Sequence, residues 1–448
     1  LVFLHQTAQN MDLAEKGSRP LHWFAFLTAA ATLVLLGIGG LVTSHGAGMA
    51  VPDWPTTYGY NMFFFPFSYW MGGIFYEHSH RLVATLVGVL VVALTRWLGG
   101  RPSRLPLAII GGLELSAGLV LGALGPNWRG AGHFLAGIGG VVLLAAAVWA
   151  RNAPAPRPLP LLAWVAFFGV QIQGLLGGLR VVLFQDEIGI FHATLAQLFF
   201  LLLCLVVLLT SRWWRTLAAA LSTVGGGPSS RLSWWMLAAT ALILFQLMIG
   251  ATMRHQHAGL AIPDFPLAYG KLWPAMDADS VAAYNQQRLE VTALNPITAF
   301  QIGLQMTHRL VALLILVAVG VCAAKAWRLA RRSGRAQGAV ATNRPVQSLA
   351  RISLVWFGLI LVQALLGAAT IWSNKAADLA TAHVIFGALS LALGGIVTVI
   401  SFKLPAPAQA GLPVLEPGGR QGWNATANAM SQPFSSRPLP SGAASHTS

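Results

Sequence analysis

The chain has 448 residues, of which 56% are hydrophobic and only 9% charged, with a formal net charge of +15. Soluble domains carry about 25% charged residues, so the composition excludes a soluble protein. With the N-terminus inside, 20 of the 28 Lys and Arg fall on the inner side of a membrane, six in outer loops, and Arg81 and Arg309 within helices. That is the positive-inside bias, and it accounts for the positive charge without a nucleic-acid partner.

Ten stretches reach the roughly 20 apolar residues that a helix needs to cross a bilayer. They lie near 24–43, 77–95, 105–124, 132–150, 160–179, 189–210, 233–252, 303–324, 352–372 and 381–402. The expected fold class is all-α integral membrane, in contact with membrane lipid. Residues 1–22 read as a polar cytoplasmic segment, with Lys16 and Arg19 ahead of the first span and Met11 as the expected start. The first span has no small-residue cleavage site and reads as an anchor.

The outer loop 44–76 carries Gly48-Met49-Ala50-Val51-Pro52-Asp53-Trp54-Pro55 and then Tyr58-Gly59. A later loop repeats this as Gly259-Leu260-Ala261-Ile262-Pro263-Asp264-Phe265-Pro266 and Tyr269-Gly270. Two prolines around an acid make a stiff, turn-rich segment, read as a structural cap, with contact between Asp53 or Asp264 and a ligand's polar edge as the sharper alternative. The second span opens on Glu77-His78-Ser79-His80-Arg81, and the eighth carries Gln305-Met306-Thr307-His308-Arg309. At 3.6 residues per turn, Glu77, His80 and Arg81 share one face while His78 points elsewhere. Gln173-Gly174-Leu175-Leu176-Gly177-Gly178 matches Gln363-Ala364-Leu365-Leu366-Gly367-Ala368, and the next span opens on His192 in one case and His383 in the other.

These matches make the chain a tandem duplication, its halves related by an axis along the membrane normal. The expected organisation is a first bundle over 23–210, a cytoplasmic linker 211–231, a second bundle over 232–402 and a disordered cytoplasmic tail 403–448 rich in Pro, Gly, Ser and Ala. Two pseudo-symmetric four-helix bundles result. An inserted helix pair over 105–150, carrying Glu114 and His133, has no counterpart in the second half. Glu114 is expected to pack or to bond between helices, and His133 to be structural. Residues 325–350, with Lys325, Arg328, Arg331, Arg332 and Arg335, read as a basic cytoplasmic linker.

His80, His192, His308 and His383 each lie near the start of a span that begins on the outer side, so they share one depth. Within each half two helices present one imidazole apiece, the arrangement of two axial ligands on a haem iron. A lone histidine at a helix start is more often a satisfied polar residue; the fourfold repetition is what points to ligation, one haem per half. Gly174, Gly177, Gly178 and Gly367 would admit a flat macrocycle or a neighbouring helix. Arg81 and Arg309 divide between pairing with haem propionates and snorkelling to the interface. No Cys-x-x-Cys-His occurs, so coordination and packing alone would hold the group. Glu77-x-x-His80 also fits a carboxylate di-iron site, but its repeat has Gln305 and the other histidine spans carry no carboxylate.

Glu77-x-x-His80-Arg81, the two Pro-Asp-aromatic-Pro loops, Phe191-His192, Thr307-His308-Arg309 and Ala382-His383 together resemble the haem A synthase family over most of 24–402, the inserted pair excepted. The resemblance implies an eight-span, two-bundle enzyme that oxidises the C8 methyl group of haem O to a formyl group, making haem A for cytochrome oxidase. It implies that His308 and His383, beside Arg309, hold a resident haem b, that His80 and His192, beside Arg81, hold the substrate haem O, and that Glu77 is catalytic. Haem O synthase, cytochrome oxidase assembly proteins and an electron donor are the implied partners, and the cell inner membrane, haem sites outward, the implied location. A carboxylate would stabilise positive charge on the oxidised methyl carbon, and a helix N-terminus would favour its ionised form; Gln305 carries no charge to do so. Some members carry a cysteine pair in an outer loop, whereas Cys204 and Cys322 lie within spans. A competing class, a quinol-linked di-haem b electron carrier, leaves the Glu77/Gln305 difference without a role. A transporter would place its polar groups at mid-membrane.

Overall fold

The structure is a computed structural model, and it describes residues 2–148, 154–222, 231–287, 296–335 and 340–404. Its helices are α1 (Val2–Ser44), α2 (Gly72–Gly99), α3 (Arg104–Ala123), α4 (Pro126–Ala147), α5 (Leu159–Leu183), α6 (Asp186–Thr210), α7 (Arg212–Ser222), α8 (Arg231–His255), α9 (Ala278–Gln287), α10 (Ala299–Arg335), α11 (Val340–Trp372) and α12 (Ala377–Lys403). All but α7 and α9 contain a stretch long and apolar enough to cross a membrane, ten in number as expected. In hydrocarbon a helix is the local way to satisfy every backbone N–H and C=O, and it is what these long apolar runs form. The chain is an all-α, multi-pass membrane protein.

Packing divides the spans into two rings. In the first, α1 packs on α2, α2 on α5, α5 on α6 and α6 back on α1; in the second, α8 packs on α10, α10 on α11, α11 on α12 and α12 back on α8. The rings meet where α1 and α6 lie against α12 and α6 lies against α8. One core cluster gathers Met236, Val319, Trp356, Leu391 and Val397 in the second ring, and another gathers Val91, Leu94, Leu98, Leu203 and Val206 in the first.

The inserted pair α3–α4 leans on α2 outside the first ring. Its helices touch backbone to backbone: a Cβ on Gly111, Gly118, Gly132 or Gly139 would run into main-chain atoms of the facing helix. Small residues at a sevenfold spacing make this close approach. Arg96 of α2 ties the far end of the pair down, donating to Gly100 O at 2.6 Å and Val148 O at 3.1 Å.

Three of the segments between or before the spans are helical. The basic stretch 325–350 is largely helix, because α10 runs on to Arg335 and α11 starts at Val340; its Ala, Leu, Lys and Arg are strong helix formers. The N-terminal segment is likewise helical from Val2 into the first span. In the 211–231 linker, Arg212–Ser222 forms α7. The expected disordered tail lies, from residue 405, outside the described residues.

Candidate functional site

Each of the four repeated histidines rests on a glycine of the preceding span of its ring. A Cβ on Gly39 of α1 would lie 3.1 Å from the His80 ring on α2, one on Gly177 of α5 3.3 Å from His192 on α6, one on Gly250 of α8 3.4 Å from His308 on α10, and one on Gly367 of α11 3.1 Å from His383 on α12. Within each ring the two histidine helices are diagonal to one another, so both imidazoles approach the ring's centre. Three of the four are pinned from the same glycine helix, four residues earlier. Gln173 Nε2 donates to the His192 carbonyl at 3.1 Å, Gln246 Nε2 to His308 O at 2.9 Å and Gln363 Nε2 to His383 O at 2.9 Å. The position that would pin His80 holds Leu35. His80 also turns a different edge to its glycine, Nε2 and Cδ2, where the others turn Cε1 and Nδ1.

The His308 and His383 ring centroids are 6.4 Å apart with their planes at 62°. Two imidazoles opposed across one first-row metal, each nitrogen about 2.0 Å from it and each ring centre about 1.1 Å further, have centroids about 6.2 Å apart. Nδ1 of His192, His308 and His383 is buried without a hydrogen-bond partner. A buried imidazole with no partner is costly unless something else engages it. All four rings line one cavity of about 2070 Å³ that spans both halves. Single small-molecule sites run to about 300–1,000 Å³, so this one has room for two large ligands. A haem therefore fits the donor set and ring spacing of the second half, and the cavity that all four histidines line has room for one in each half. Among the described residues no group of three or more His, Cys, Asp or Glu is arranged to hold a metal ion.

The loops ahead of α2 and α10 fold alike over this end of the rings. Asp53 accepts from Tyr58 N at 2.7 Å and Gly59 N at 2.9 Å, and Asp264 from Tyr269 N at 2.7 Å and Gly270 N at 2.9 Å. Tyr58 and Tyr269 donate in turn to Ala50 O and Ala261 O, both at 2.5 Å. The acids close the loops on themselves, the structural role expected of a cap. Burial raises the Asp53 pKa, but the bonds from Gly59, Thr56 and Tyr58 outweigh it and hold the carboxyl below the ordinary carboxylate range.

Arg81 and Arg309 are turned to these loops. Arg81 donates to Asp53 O, Thr56 O and Val51 O at 2.7–2.9 Å, and Arg309 to Asp264 O at 2.7 Å and Leu267 O at 2.9 Å. Glu77 takes part in the same clip: Oε2 accepts from Val51 N at 2.9 Å and Oε1 pairs with Arg81 at 2.8 Å. Gln305 does the equivalent with Ile262, accepting from its N at 2.7 Å and donating to its O at 3.2 Å. Both side chains line the cavity, so the halves present a carboxylate and an amide at matching places. Helix α2 begins at Gly72, five residues before Glu77. The field of a helix N-terminus fades within a turn, so it is Arg81 and Val51 N–H, not the helix end, that Glu77 meets.

His78 points away from the cavity as its spacing indicates, fully buried between Phe65 and Trp70 with Nδ1 3.2 Å from Thr57 Oγ1. Glu114 accepts from Gln171 Nε2 of α5 at 2.6 Å, an interhelical bond as expected, while His133 is exposed. The glycines Gly39 and Gly250 and the clamp Gln246 were not singled out from sequence. The signal was present: Gln-x-x-x-Gly occurs one span ahead of three of the four histidines.

Fold and site together define a class, a duplicated helical membrane protein in which two rings each aim a diagonal pair of histidines into a shared cavity. The chain belongs to the COX15-CtaA family, described as cytochrome oxidase assembly protein, whose family model matches residues 132–394. The matched stretch takes in His192, His308 and His383 and begins within α4, after the helix of Glu77 and His80. No curated protein matches the chain.

Proposed function

We propose that this protein is a haem A synthase that oxidises the C8 methyl group of haem O to a formyl group, supplying haem A to cytochrome oxidase. The observation that carries the reading is the fourfold histidine-on-glycine arrangement around one cavity, with a carboxylate, Glu77, at the position where the repeat has Gln305. The family's role in cytochrome oxidase assembly agrees with it.

On this reading His308 and His383 hold a resident haem b, which when bound supplies one-electron transfer. His80 and His192 hold the substrate haem O through its iron. Glu77, fixed by Arg81 and Val51 N–H, offers fixed negative charge where positive charge develops on the substrate carbon, an arrangement that requires no reorganisation as the reaction proceeds. The first capping loop keeps water out: the Trp54 ring lies against Gly178 of α5 and meets Phe134 of α4 edge-on at 5.2 Å. On this reading the site faces outward from the cell inner membrane, an orientation that the positive-inside bias supports.

The test is extraction and chromatography of the pigments bound to the full chain, expressed with and without a haem O supply. Haem b in both preparations and haem A only with haem O is the expected result. Haem b alone in both would refute the synthase and leave a di-haem b electron carrier.

A further inference from the structure

The helices that carry the backing glycines all end on the same side, and each bears an arginine or a threonine one turn beyond its glycine: Thr43 on α1, Arg180 on α5, Arg254 on α8 and Thr370 on α11. Arg180 and Thr370 are matching positions in the two halves, as are Thr43 and Arg254, so each half-site receives one arginine and one threonine. The threonines satisfy themselves on their own helices, Thr43 donating to Gly39 O at 3.0 Å and Thr370 to Leu366 O at 2.8 Å. Arg254 spends one nitrogen across the ring boundary, on Gly40 O at 2.6 Å and Ser44 Oγ.

Arg180 is different. It lines the cavity, its Nε is buried without a partner, and it makes no hydrogen bond or ion pair among the described residues. Its guanidinium lies over Gly48 of the capping loop, where a Cβ would fall 2.8 Å from Nη2 and 3.0 Å from Nη1; the matching Gly259 has nothing within 4 Å. Residues three apart share a helix face, so Arg180 stands one turn beyond Gly177, the glycine that backs His192. An unpaired guanidinium partly withdrawn from water calls for an anion, and its fork matches a carboxylate. Arg81, with both terminal nitrogens on loop carbonyls and Glu77, has no such vacancy.

Building on the haem reading above, we propose that Arg180 anchors an acidic side chain of the first-half tetrapyrrole and so orients the macrocycle between His80 and His192. The ligand class is a metalloporphyrin with free carboxylates, and Arg180 is a positioning residue that selects for them.

The full chain, purified with its resident pigment from cells that make no haem O, is titrated at the first site with ferric protoporphyrin IX and with its dimethyl ester, both followed by the Soret difference spectrum. The wild type should bind the diacid about 10- to 100-fold more tightly than the ester, the range for a charge-assisted hydrogen bond. Arg180→Gln should bring the diacid to the ester's affinity and leave the ester unchanged, whereas Arg81→Gln should preserve the discrimination. Unchanged discrimination in Arg180→Gln, or equal weakening of both probes, overturns the proposal. A wild type that shows no Soret band and takes up neither probe sinks the haem reading itself, a separate outcome.

Discussion

Replacing Glu77 by glutamine gives the first half the amide that the second half already uses, and the structure separates the two consequences. The loop clip survives, because an amide oxygen can accept from Val51 N as that of Gln305 accepts from Ile262 N at 2.7 Å. The ion pair with Arg81 at 2.8 Å is lost. Removing one member of a buried pair costs about 3–5 kcal/mol when the other charge is left bare, but Arg81 keeps the carbonyls of Val51, Asp53 and Thr56. The loss is therefore nearer that of one charge-assisted hydrogen bond, about 1.5–3 kcal/mol, and the protein stays folded. Turnover should fall much further, by about 100- to 1000-fold, the effect of removing one preorganised electrostatic group. The assay pairs the haem A to haem O ratio in extracted pigment with thermal loss of the Soret band. Haem A at the wild-type level would refute a catalytic carboxylate, and loss of both pigments would reduce Glu77 to a loop clip.

His308→Ala should abolish the low-spin haem b signal of the second half, read by optical and electron paramagnetic resonance spectra. Gly367→Val should do the same by pushing on His383 from 3.1 Å, while Gly358→Val on the same helix, with nothing within 4 Å, should leave the spectrum intact. For the first capping loop the sign follows from a depressed carboxyl pKa. The stabilisation is fully present above the unfolded value of about 3.9 and is lost as pH falls through the folded pKa, so exchange protection of the Tyr58 and Gly59 amides should disappear only below the ordinary aspartate range, and Asp53→Ala should remove it at neutral pH. Leu35→Gln should supply the missing clamp for His80, slowing dissociation of the first-site porphyrin measured by apomyoglobin capture without changing the second site.

The ten spans and the four histidines were legible because each rests on a local signal, an apolar run or an exact internal repeat. The shared cavity and the diagonal pairing needed the ring packing, which no single span encodes. Arg81 misleads in sequence for a related reason: it stands beside a histidine, and proximity along a helix suggests a common ligand, yet its partners Val51, Asp53 and Thr56 belong to a loop 25–30 residues earlier. Arg180 was invisible among basic residues near span ends, since what distinguishes it is a missing partner, and absence of a contact has no sequence signature. The helix starts also moved. Gly72 to Tyr76, placed in the outer loop 44–76, instead extend α2, and that extra turn withdraws the helix-end argument for Glu77.

The differences between the halves fall on one side. His192, His308 and His383 have their helices held at the histidine carbonyl by Gln173, Gln246 and Gln363, and His80 alone does not. The same histidine turns a different ring edge to its glycine, the same half bears Glu77 where the other has Gln305, and Arg180 has no hydrogen-bond or ion-pair partner among the described residues. A resident redox group is served by two ligands fixed in place, because every lost contact shortens its residence. A substrate must enter and its product must leave, and a site in which both ligands were equally fixed would bind the two alike and hold its product. One clamped ligand and one free one, with an arginine to set orientation in place of the missing clamp, is the arrangement that permits exchange. On the proposed synthase reading the duplicated frame would supply affinity to both sites, and Leu35, as much as Glu77, would let the first half turn over.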